Sequence, residues 1–579
     1  MHFDIILENP LIYDGAGRIP YRNDIGIKDD KIAAVKNLKN AECNIRIKAS
    51  DLSLCPGFID VHSHADMAIH RPNHAKILEP FIRQGITTFV GGNCGAALAP
   101  ISDKYSDTLF AFYDIFLGED QKPHIQWKSF GEMLETIEKQ GVLLNFAVLA
   151  PHGIIRINAK NNSTDLCSES ELKEMKGILS ECMEAGALGM STGLMYFPGM
   201  FSDEHELLEL AHVVHEYSGV FTSHLRSYNS DTIENAIDEV LNIGKNAEVP
   251  VQISHLFWVP YFPEPFRSML KKFVNTASLI YNFWQFPNPF ESSLKYHLDR
   301  IDKLIKQGYP IGIDAMPTSA GFTHLFAFFP PWSVQDGVEK LLERIANPLE
   351  RKKIKESIEN GEPVWPHRGK DNWSMNFFKV MGWDCAFVMS VVSEKNQKWV
   401  GKSFIEIGEK TGKHPFDAAC DLAIEEKGRV LIFETPTYPG DPLIEASSQS
   451  NFLDPNVSIV TDAIMLGFGQ PAHLFYDCYP KFLSEYARDK KLLSMAEAIR
   501  KCTSLPAKQL QIKNRGLIQE GNFADIVLFD EKTLKSKSLV KDPCHFPKGI
   551  KYVLINGKIV LDPDGFHSDL KAGKVIKRG

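Results

Sequence analysis

The sequence GFIDVHSHAD occupies residues 57–66. Its first half is an apolar run of the kind that forms a strand buried on both faces of a parallel sheet. Its second half carries His62 and His64, which are separated by one residue. Because side chains alternate along a strand with period two, both imidazoles point to the same side. Two imidazoles at one strand end are half of a divalent-metal site.

Seven more apolar runs follow along the chain. With the first, the eight runs are 57–62, 86–92, 143–150, 186–192, 219–224, 250–255, 310–316 and 457–462. Amphipathic helical stretches separate many of them, for example 169–185 and 231–247. Eight strands with crossover helices predict an α/β fold with a (β/α)8 barrel of the TIM type. An open doubly wound sheet is the alternative, and the count of eight favours the barrel.

Both chain ends differ from this pattern. Residues 3–50 and 514–562 contain short strand-like runs broken by NG, EG and DG turn signals. We expect residues 1–54 and 506–579 to pair into one small β domain beside the barrel.

The barrel itself is predicted to span residues 55–505. An insertion at about 319–451 is expected before its last strand, because so long a connection is rarely a structureless loop. Residues 259–296, rich in Pro, Phe and Trp, are expected to form another insertion.

The composition is that of an ordinary globular enzyme. The chain has 579 residues, of which 24% are charged, and a formal net charge of −9. This balance argues against a nucleic-acid-binding protein, which would need a basic face. The sequence contains no apolar run of about 18 residues that could span a membrane. Ten sparse cysteines and an N-terminus without signal-peptide features predict a cytoplasmic protein with mostly free thiols.

Further metal-binding residue types lie at the ends of the predicted strands. Taken singly, each is more often a satisfied polar core residue than a ligand. In a barrel, however, the carboxyl ends of all strands meet at one mouth. With the two histidines of the first strand, the candidates are His62, His64, Cys94, His224, His255 and Asp462.

This residue set predicts a zinc-dependent hydrolase. Zn²⁺ accepts imidazole, thiolate and carboxylate ligands. With an open position it lowers the pKa of its bound water and polarises a scissile carbonyl. We expect Asp462 to take the proton of that water and pass it to the leaving group. The sequence has no GxSxG motif that would indicate a serine nucleophile.

Several motifs resemble the amidohydrolase superfamily and, within it, the N-acyl-D-amino-acid deacylases, or D-aminoacylases. The similarity spans nearly the whole chain and is weaker at 259–308 and 430–490. The motifs are PGFIDVHSHAD (56–66), GITTFVGGNCGAALAP (85–100), GALGMSTGLMYFPG (186–199), FTSHLRS (221–227), VPVQISHL (249–256) and GNFADIVLFD (521–530).

The resemblance implies a barrel with a β-sandwich built from both chain ends. It also implies one tightly bound zinc ion at Cys94, His224 and His255. His62, His64 and Asp462 would form an adjacent site that is occupied weakly or not at all. Asp462 would be the general base and acid, and Tyr196 would lie in the substrate pocket, although a purely packed aromatic is an equally good interpretation.

The chain departs from the family at three positions. Phe257 follows SHL where the family has Lys, Leu474 aligns with an Arg, and Ala463 replaces a Gly. In the family, the Lys and the Arg help to hold the α-carboxylate of the substrate. Losing two cations is a large change in an anion site. We therefore expect an atypical substrate, with Phe257, Arg226 and His473 among its contacts.

Aromatic residues near these positions suit a compact, weakly polar or cyclic substrate if they line the mouth of the barrel. Otherwise they pack the insertions onto the barrel. They are Phe257, Trp258, Tyr261, Phe262, Phe283, Trp284, Phe322, Phe326 and Phe328, with His324 as another candidate contact.

Three functional hypotheses follow. The first is zinc-dependent hydrolysis of a C–N amide bond in a small molecule. The second is hydrolytic ring opening of a neutral cyclic amide or imide, or of a cyclic 1,3-diketone with C–C cleavage. The third is a metal-free binding protein, which the presence of all six candidate ligands disfavours. No protein partner is indicated, and a homo-oligomer is compatible with the sequence.

Overall fold

The structure is a computed structural model that describes residues 2–117, 125–259, 261, 262, 264–281, 283, 284, 286, 288, 292–361, 365, 374–435, 437, 438, 440–464, 467–540 and 542–579.

The fold begins with short N-terminal strands. The first strands are β1 (Phe3–Glu8), β2 (Leu11–Ile12), β3 (Tyr21–Arg22), β4 (Ile25–Lys28), β5 (Lys31–Val35), β6 (Cys43–Lys48) and β7 (Ser53–Pro56).

Parallel strands alternating with helices form the middle of the fold. The strands are β8 (Phe58–Asp60), β9 (Ile86–Gly91), β10 (Asn145–Val148), β11 (Ala150–Pro151), β12 (Gly189–Gly193), β13 (Val220–His224), β14 (Val251–Ile253) and β15 (Ile311–Ala315). The helices are α1 (Asp66–Ile69), α2 (His74–Ile77), α3 (Glu79–Arg83), α4 (Ser106–Leu117), α5 (Phe130–Gln140), α6 (His152–Lys160), α7 (Glu169–Ala185), α8 (Glu204–Glu216), α9 (Ile233–Asn246), α10 (Phe266–Tyr281) and α11 (Ser292–Lys306).

A mixed segment lies between β15 and the last parallel strand, β19 (Val457–Ile459). It contains an antiparallel sheet in the order β16-β18-β17. Its elements are β16 (Gly321–His324), α12 (Val338–Ala346), α13 (Pro348–Asn360), α14 (Phe377–Met381), β17 (Ala386–Ser390), α15 (Phe404–Thr411), α16 (Pro415–Glu425), β18 (Leu431–Glu434), α17 (Pro442–Ser447) and α18 (Gln449–Leu453).

The C-terminal part begins with helices and ends with strands. Its elements are α19 (Leu474–Lys481), a π-helical turn at Phe482–Asp489, α20 (Met495–Cys502), α21 (Ser504–Gln509), β20 (Ile526–Phe529), β21 (Ile550–Ile555), β22 (Lys558–Asp562) and β23 (Gly565–Phe566).

All eight predicted strands are confirmed. β8, β9 and β10 form one parallel sheet, and β11 to β15 with β19 form a second, both in chain order. Only Leu149 separates β10 from β11. Beyond β8 and β19, Ser63 and Ala463 form a parallel bridge, and the amide of Asp462 donates to the carbonyl of His62 at 2.9 Å. The ends of the first and last parallel strands are therefore adjacent.

The chain ends share a sheet. β7 pairs antiparallel with β20, within the order β23-β22-β21-β20-β7-β2-β3. A second sheet, β5-β4-β1-β6, packs against it through a common buried cluster that includes Ile5, Ile27, Leu54 and Ile526. The predicted insertion at 259–296 lies partly outside the described residues, and its described part is mostly α10 and the start of α11.

None of the helices in the described parts of the chain has the length and apolar character that a membrane crossing requires.

Candidate metal centre

Cys94 lies at the centre of a buried cluster of imidazoles. Its Sγ is 3.3 Å from Nε2 of His62, 3.5 Å from Nδ1 of His224 and 3.6 Å from Nε2 of His255. The two latter nitrogens are 2.9 Å apart. The ends of β8, β9, β13 and β14 bring these residues together, as the strand-end positions predict.

The distances among Cys94, His224 and His255 fit a zinc ion. Tetrahedral zinc, with bonds of about 2.3 Å to sulfur and about 2.0–2.1 Å to nitrogen, separates S and N ligands by about 3.6 Å and two N ligands by about 3.3 Å. The two S–N separations here are 3.5 and 3.6 Å, and the N–N separation is a little short at 2.9 Å. One thiol and two imidazoles are also the donor types that zinc prefers.

Asp462 also belongs to the cluster. Its Oδ1 is 3.5 Å from Nε2 of His62 and 3.5 Å from Nε2 of His64. His62, His255 and Asp462 also offer three donor atoms that lie within 4.8 Å of one another. All six predicted ligands therefore meet at one place, and His62 connects the two predicted sets.

Three of these residues have an unusual backbone. Cys94, His255 and Asp462 have φ of 51°, 31° and 50°. The left-handed region costs a non-glycine residue about 1–2 kcal/mol, and such conformations concentrate at functional sites. The backbone of Cys94 is also closely packed against Gly193. A Cβ on Gly193 would lie 2.2 Å from the carbonyl oxygen of Cys94.

Sequence patterns missed the residues that orient the imidazoles. The Tyr228 hydroxyl lies 3.0 Å from Nδ1 of His255, the ring nitrogen that faces away from Cys94. Asp314, at the end of β15, accepts from the amide of His255 at 2.6 Å and lies 3.6 Å from Nδ1 of His62. Groups of this kind fix the orientation of metal-binding imidazoles. The acid at the end of the predicted run 310–316 was the available signal for Asp314.

Burial sets the charges in the cluster. It lowers the pKa of His62 and His224 well below the usual range, and neighbouring imidazoles lower it further. Neutral imidazole is the form that binds metals. Burial and the charge of Asp462 raise the pKa of the Cys94 thiol well above its usual range. The thiolate therefore needs a cation beside it, which a metal ion would provide.

The Tyr196 cavity lies on one side of the cluster. Its lining includes His64, Cys94, Tyr196, Phe322 and His324. The Tyr196 ring is 4.5 Å from the His224 ring, and its hydroxyl accepts from Thr323 at 3.2 Å. Burial lowers the pKa of His324 to about 4, so this imidazole is neutral. Tyr196 and His324 thus stand beside the candidate ligands.

The His255 cavity also borders the cluster. Phe257, Trp258 and Phe262 line it together with His255. The Phe257 ring stacks on Tyr228, with centroids 4.1 Å apart and planes 12° apart. Phe257 is therefore placed where it can contact a substrate.

Arg226 is not placed for substrate binding. Its guanidinium pairs with Glu239 at 2.8 Å and donates to the carbonyls of Met200 and Ser202. It lines a separate cleft that includes none of the six candidate ligands. Because its charge and donors are used inside the protein, the prediction that Arg226 is a substrate contact is not supported.

His473 makes its hydrogen bond within its own helix. It is buried at the start of α19, and its Nε2 lies 3.3 Å from Nζ of Lys481 in the last turn of that helix. His473 is absent from the described lining of both cavities beside the cluster. Its imidazole therefore belongs to the packing of α19, in which Leu474 is buried as well.

The predicted aromatic lining divides into three groups. Phe257, Trp258 and Phe262 line the His255 cavity, and Phe322 lines the Tyr196 cavity. Phe326 lines an apolar extension of the Tyr196 cavity. In contrast, Phe283 and Trp284 are 93% and 73% exposed, so they do not line the mouth. Phe328 packs in the core, stacked on Phe377.

The chain is similar to known amidohydrolases and deacylases. The model of the amidohydrolase family matches residues 456–561. A D-aminoacylase of Alcaligenes xylosoxydans xylosoxydans is 25% identical over 578 residues, covering 100% of this chain and 98% of the relative. An N-acyl-D-glutamate deacylase of the same organism is 26% identical over 580 residues, covering 99% of this chain and 96% of the relative.

The fold is also that of a solved relative. The crystal structure of N-acyl-D-glutamate deacylase from Bordetella bronchiseptica, complexed with zinc and a phosphonate inhibitor, superposes with a TM-score of 0.75. It is 23% identical, and both chains are covered completely. Over its whole length the chain is thus similar to D-aminoacylases and N-acyl-D-glutamate deacylases, and part of it matches the amidohydrolase family.

Proposed function

We propose that the protein is a zinc-dependent hydrolase that cleaves a C–N amide bond in a small molecule. The observation that carries this proposal is the convergence of Cys94, His224 and His255, with donor atoms 2.9–3.6 Å apart. The relatives support it, since they are named as an aminoacylase and a deacylase.

We propose which residues of the cluster would bind the metal. Cys94, His224 and His255 would hold one ion tightly, and His62 with His64 and Asp462 offers donors to a second, weaker one. When bound, a divalent metal supplies Lewis-acid chemistry, because it lowers the pKa of water and polarises a carbonyl.

Asp462 would carry the proton. Its Oδ1 lies between His62 and His64, and its amide is held by the carbonyl of His62. We propose that this carboxylate takes a proton from the attacking water and delivers it to the leaving nitrogen. A proton relay of this kind contributes about 10²–10⁴-fold to a rate.

The two cavities would hold the two ends of the substrate. Tyr196 would contact the part in the Tyr196 cavity, which is apolar and continues between Phe197 and Phe326. Phe257 would contact the part in the His255 cavity. Because Phe257 stands where the family has a Lys, the substrate is proposed to lack the usual carboxylate at that end.

This aromatic lining favours a second candidate, the ring opening of a small neutral cyclic substrate. The stacked pair Phe257 and Tyr228 offers a flat apolar wall beside His255. A cyclic amide or imide would open by C–N cleavage. A cyclic 1,3-diketone would open by C–C cleavage, with an enolate as the leaving group.

We further propose that the parallel strands close into a (β/α)8 barrel, with the shared sheet of the chain ends beside it. The Ser63–Ala463 bridge between the first and last strand ends supports closure. Residues 1–54 and 506–579 would then be one β-sandwich, and residues 319–451 an insertion in the barrel.

Mass spectrometry of reaction products tests the proposed function. Zinc-loaded protein is incubated with one pool of N-acyl-D-amino acids and their amides, and with another of neutral cyclic amides, imides and 1,3-diketones. Cleavage into an amine and an acid supports the amide hydrolase, and one product heavier by one water supports ring opening. EDTA should stop either reaction and zinc should restore it. If neither pool changes, the proposed function is wrong.

A further inference from the structure

The His255 cavity has charged residues as well as aromatic ones. Its lining includes Arg267 and Lys271, one turn apart on α10, and Glu434 at the end of β18. The charge that a substrate meets there depends on which of these three side chains is already compensated within the protein.

Both cations of the cavity have protein partners. The Arg267 guanidinium pairs with Glu264 and donates to the carbonyl of Lys379. The Lys271 ammonium pairs with Asp384 at 2.6 Å and donates to the carbonyl of Met381 at 3.2 Å. Their charges are neutralised by these acids.

The carboxyl group of Glu434, in contrast to the two cations, has an oxygen atom that is not compensated within the protein. It is only 7% exposed, and its Oε2 is buried without a hydrogen-bond partner among the described residues. A buried carboxyl oxygen without a partner carries a free-energy cost, so such atoms in native proteins call for an explanation such as a ligand contact.

The local backbone makes room for this carboxyl group. Glu434 pairs with Gly321 across the antiparallel strands β18 and β16. A Cβ on Gly321 would lie 2.5 Å from Oε1 of Glu434. The glycine therefore leaves the space in which the carboxyl lies, beside the cavity that reaches His255.

We infer that Glu434 is a specificity-determining residue that binds an HN–C=O group of the substrate and disfavours a carboxylate at that position. This inference rests on the proposed function, because it assumes that the His255 cavity holds one end of the substrate. It names the substrate class more closely: an amide, lactam or imide whose N–H and C=O edge faces Glu434.

The chemistry of a carboxyl group explains this choice. An ionised carboxylate accepts a hydrogen bond from N–H, and a protonated carboxyl donates to C=O as well. Burial and the charge of Asp462 raise the pKa of Glu434 to about 8. Either form matches HN–C=O. A substrate carboxylate offers only acceptors, so it can pair with the protonated form alone and is repelled by the ionised form, whereas HN–C=O pairs with both forms.

Calorimetric binding of a matched ligand pair tests the inference. The ligands are N-methylsulfonyl-D-methionine and its carboxamide, which differ only in the group expected at Glu434 and lack the acyl bond that the enzyme would cleave. Zinc-loaded wild-type protein should bind the carboxamide at least about tenfold more tightly. Glu434→Gln should reduce this preference to less than about twofold. Glu409→Gln, an exposed control on α15, should keep it.

A second variant covers the case in which Glu434→Gln folds poorly. Gly321→Ala should displace the carboxyl group and lower the same preference while Glu434 is retained. The inference is wrong if the Kd ratio stays within twofold of wild type in both variants, if wild type prefers the carboxylate, or if neither ligand binds. These outcomes are separate from hydrolysis, which tests the proposed function alone.

Discussion

Cys94, His255 and Asp462 share left-handed backbone conformations, which the sequence does not reveal. The residue types and strand-end positions were enough to predict that these side chains meet. Their orientation depends on Tyr228 and Asp314. Tyr228 lies in a loop and carries no spacing signal, and for Asp314 the signal was its position at the end of the run 310–316. Arg226 was predicted to contact the substrate, and the sequence did not reveal its pairing with Glu239, which lies thirteen residues away on α9.

Asp462→Asn should lower kcat by about 10²–10⁴-fold while the tightly bound zinc at Cys94, His224 and His255 is retained. The amide keeps the size of the side chain and removes its ability to take up a proton. Activity assays combined with plasma mass spectrometry of the metal check this. Asp489→Asn, an exposed aspartate, should be neutral. Near-normal turnover in Asp462→Asn would show that another group moves the proton.

Cys94→Ala should lose most of its tightly bound zinc. The Cys94 thiol contacts the imidazoles of His62, His224 and His255. Its removal therefore takes away a donor atom that neighbours all three. Metal analysis after dialysis against a chelator measures the effect. Cys167→Ala, which changes a half-buried cysteine packed against Met175, is the matched control. Full zinc occupancy in Cys94→Ala would exclude Cys94 as a ligand.

Among the elements, the parallel strands followed the predicted runs because uninterrupted apolar sequence is typical of strands buried on both faces. The polar contacts around β8 and β19 were not predictable. Thr461 donates from its amide and its hydroxyl to the buried Asp60. Lys501, on α20, donates to the carbonyls of Asp454 and Val457 near the start of β19. Such contacts depend on how the helices pack on the sheet.

Lys501 should make the stability of this region depend on pH. Burial lowers the pKa of Lys501 to about 7. At pH values between this pKa and the higher pKa of a lysine in the unfolded chain, the lysine is protonated in the unfolded state and neutral in the folded state. The free energy of unfolding therefore rises with pH in this range. Lys501 alone can raise the free energy of unfolding by up to about 1.4 kcal/mol per pH unit in this range.

Lys501→Met should therefore remove this slope between pH 7 and 10. Chemical denaturation of the variant and of wild type at several pH values measures the difference. Lys508→Met, on the exposed side of α21, should leave the slope unchanged. An unchanged slope in Lys501→Met would mean that the lysine stays charged when buried.

At the scale of the whole molecule, turn-broken runs at both ends predicted that the termini form strands, and β7 and β20 do pair. The polar contacts that join the ends to the parallel strands were not predictable. Asp525 pairs with Arg515, accepts from Asn145 on β10 at 3.0 Å and accepts from the amide of Asn556 at 2.8 Å. Three segments that are distant in the sequence meet there.

Asp525→Ala should destabilise the protein by about 3–5 kcal/mol, because it leaves the buried Arg515 without its partner. The two side chains are only 4% and 3% exposed. Denaturant unfolding measures the loss, with the exposed Asp564→Ala as control. A loss below about 1 kcal/mol, typical of a surface pair, would contradict a structural role for this contact.

Anomalous X-ray diffraction at the zinc absorption edge, on crystals of the zinc-loaded protein, tests the metal centre most directly. We predict one strong anomalous peak bonded to Sγ of Cys94, Nδ1 of His224 and Nε2 of His255, with any second, weaker peak near His62, His64 and Asp462. A zinc peak elsewhere, or none at Cys94, would contradict the assignment of this cluster as the catalytic metal centre.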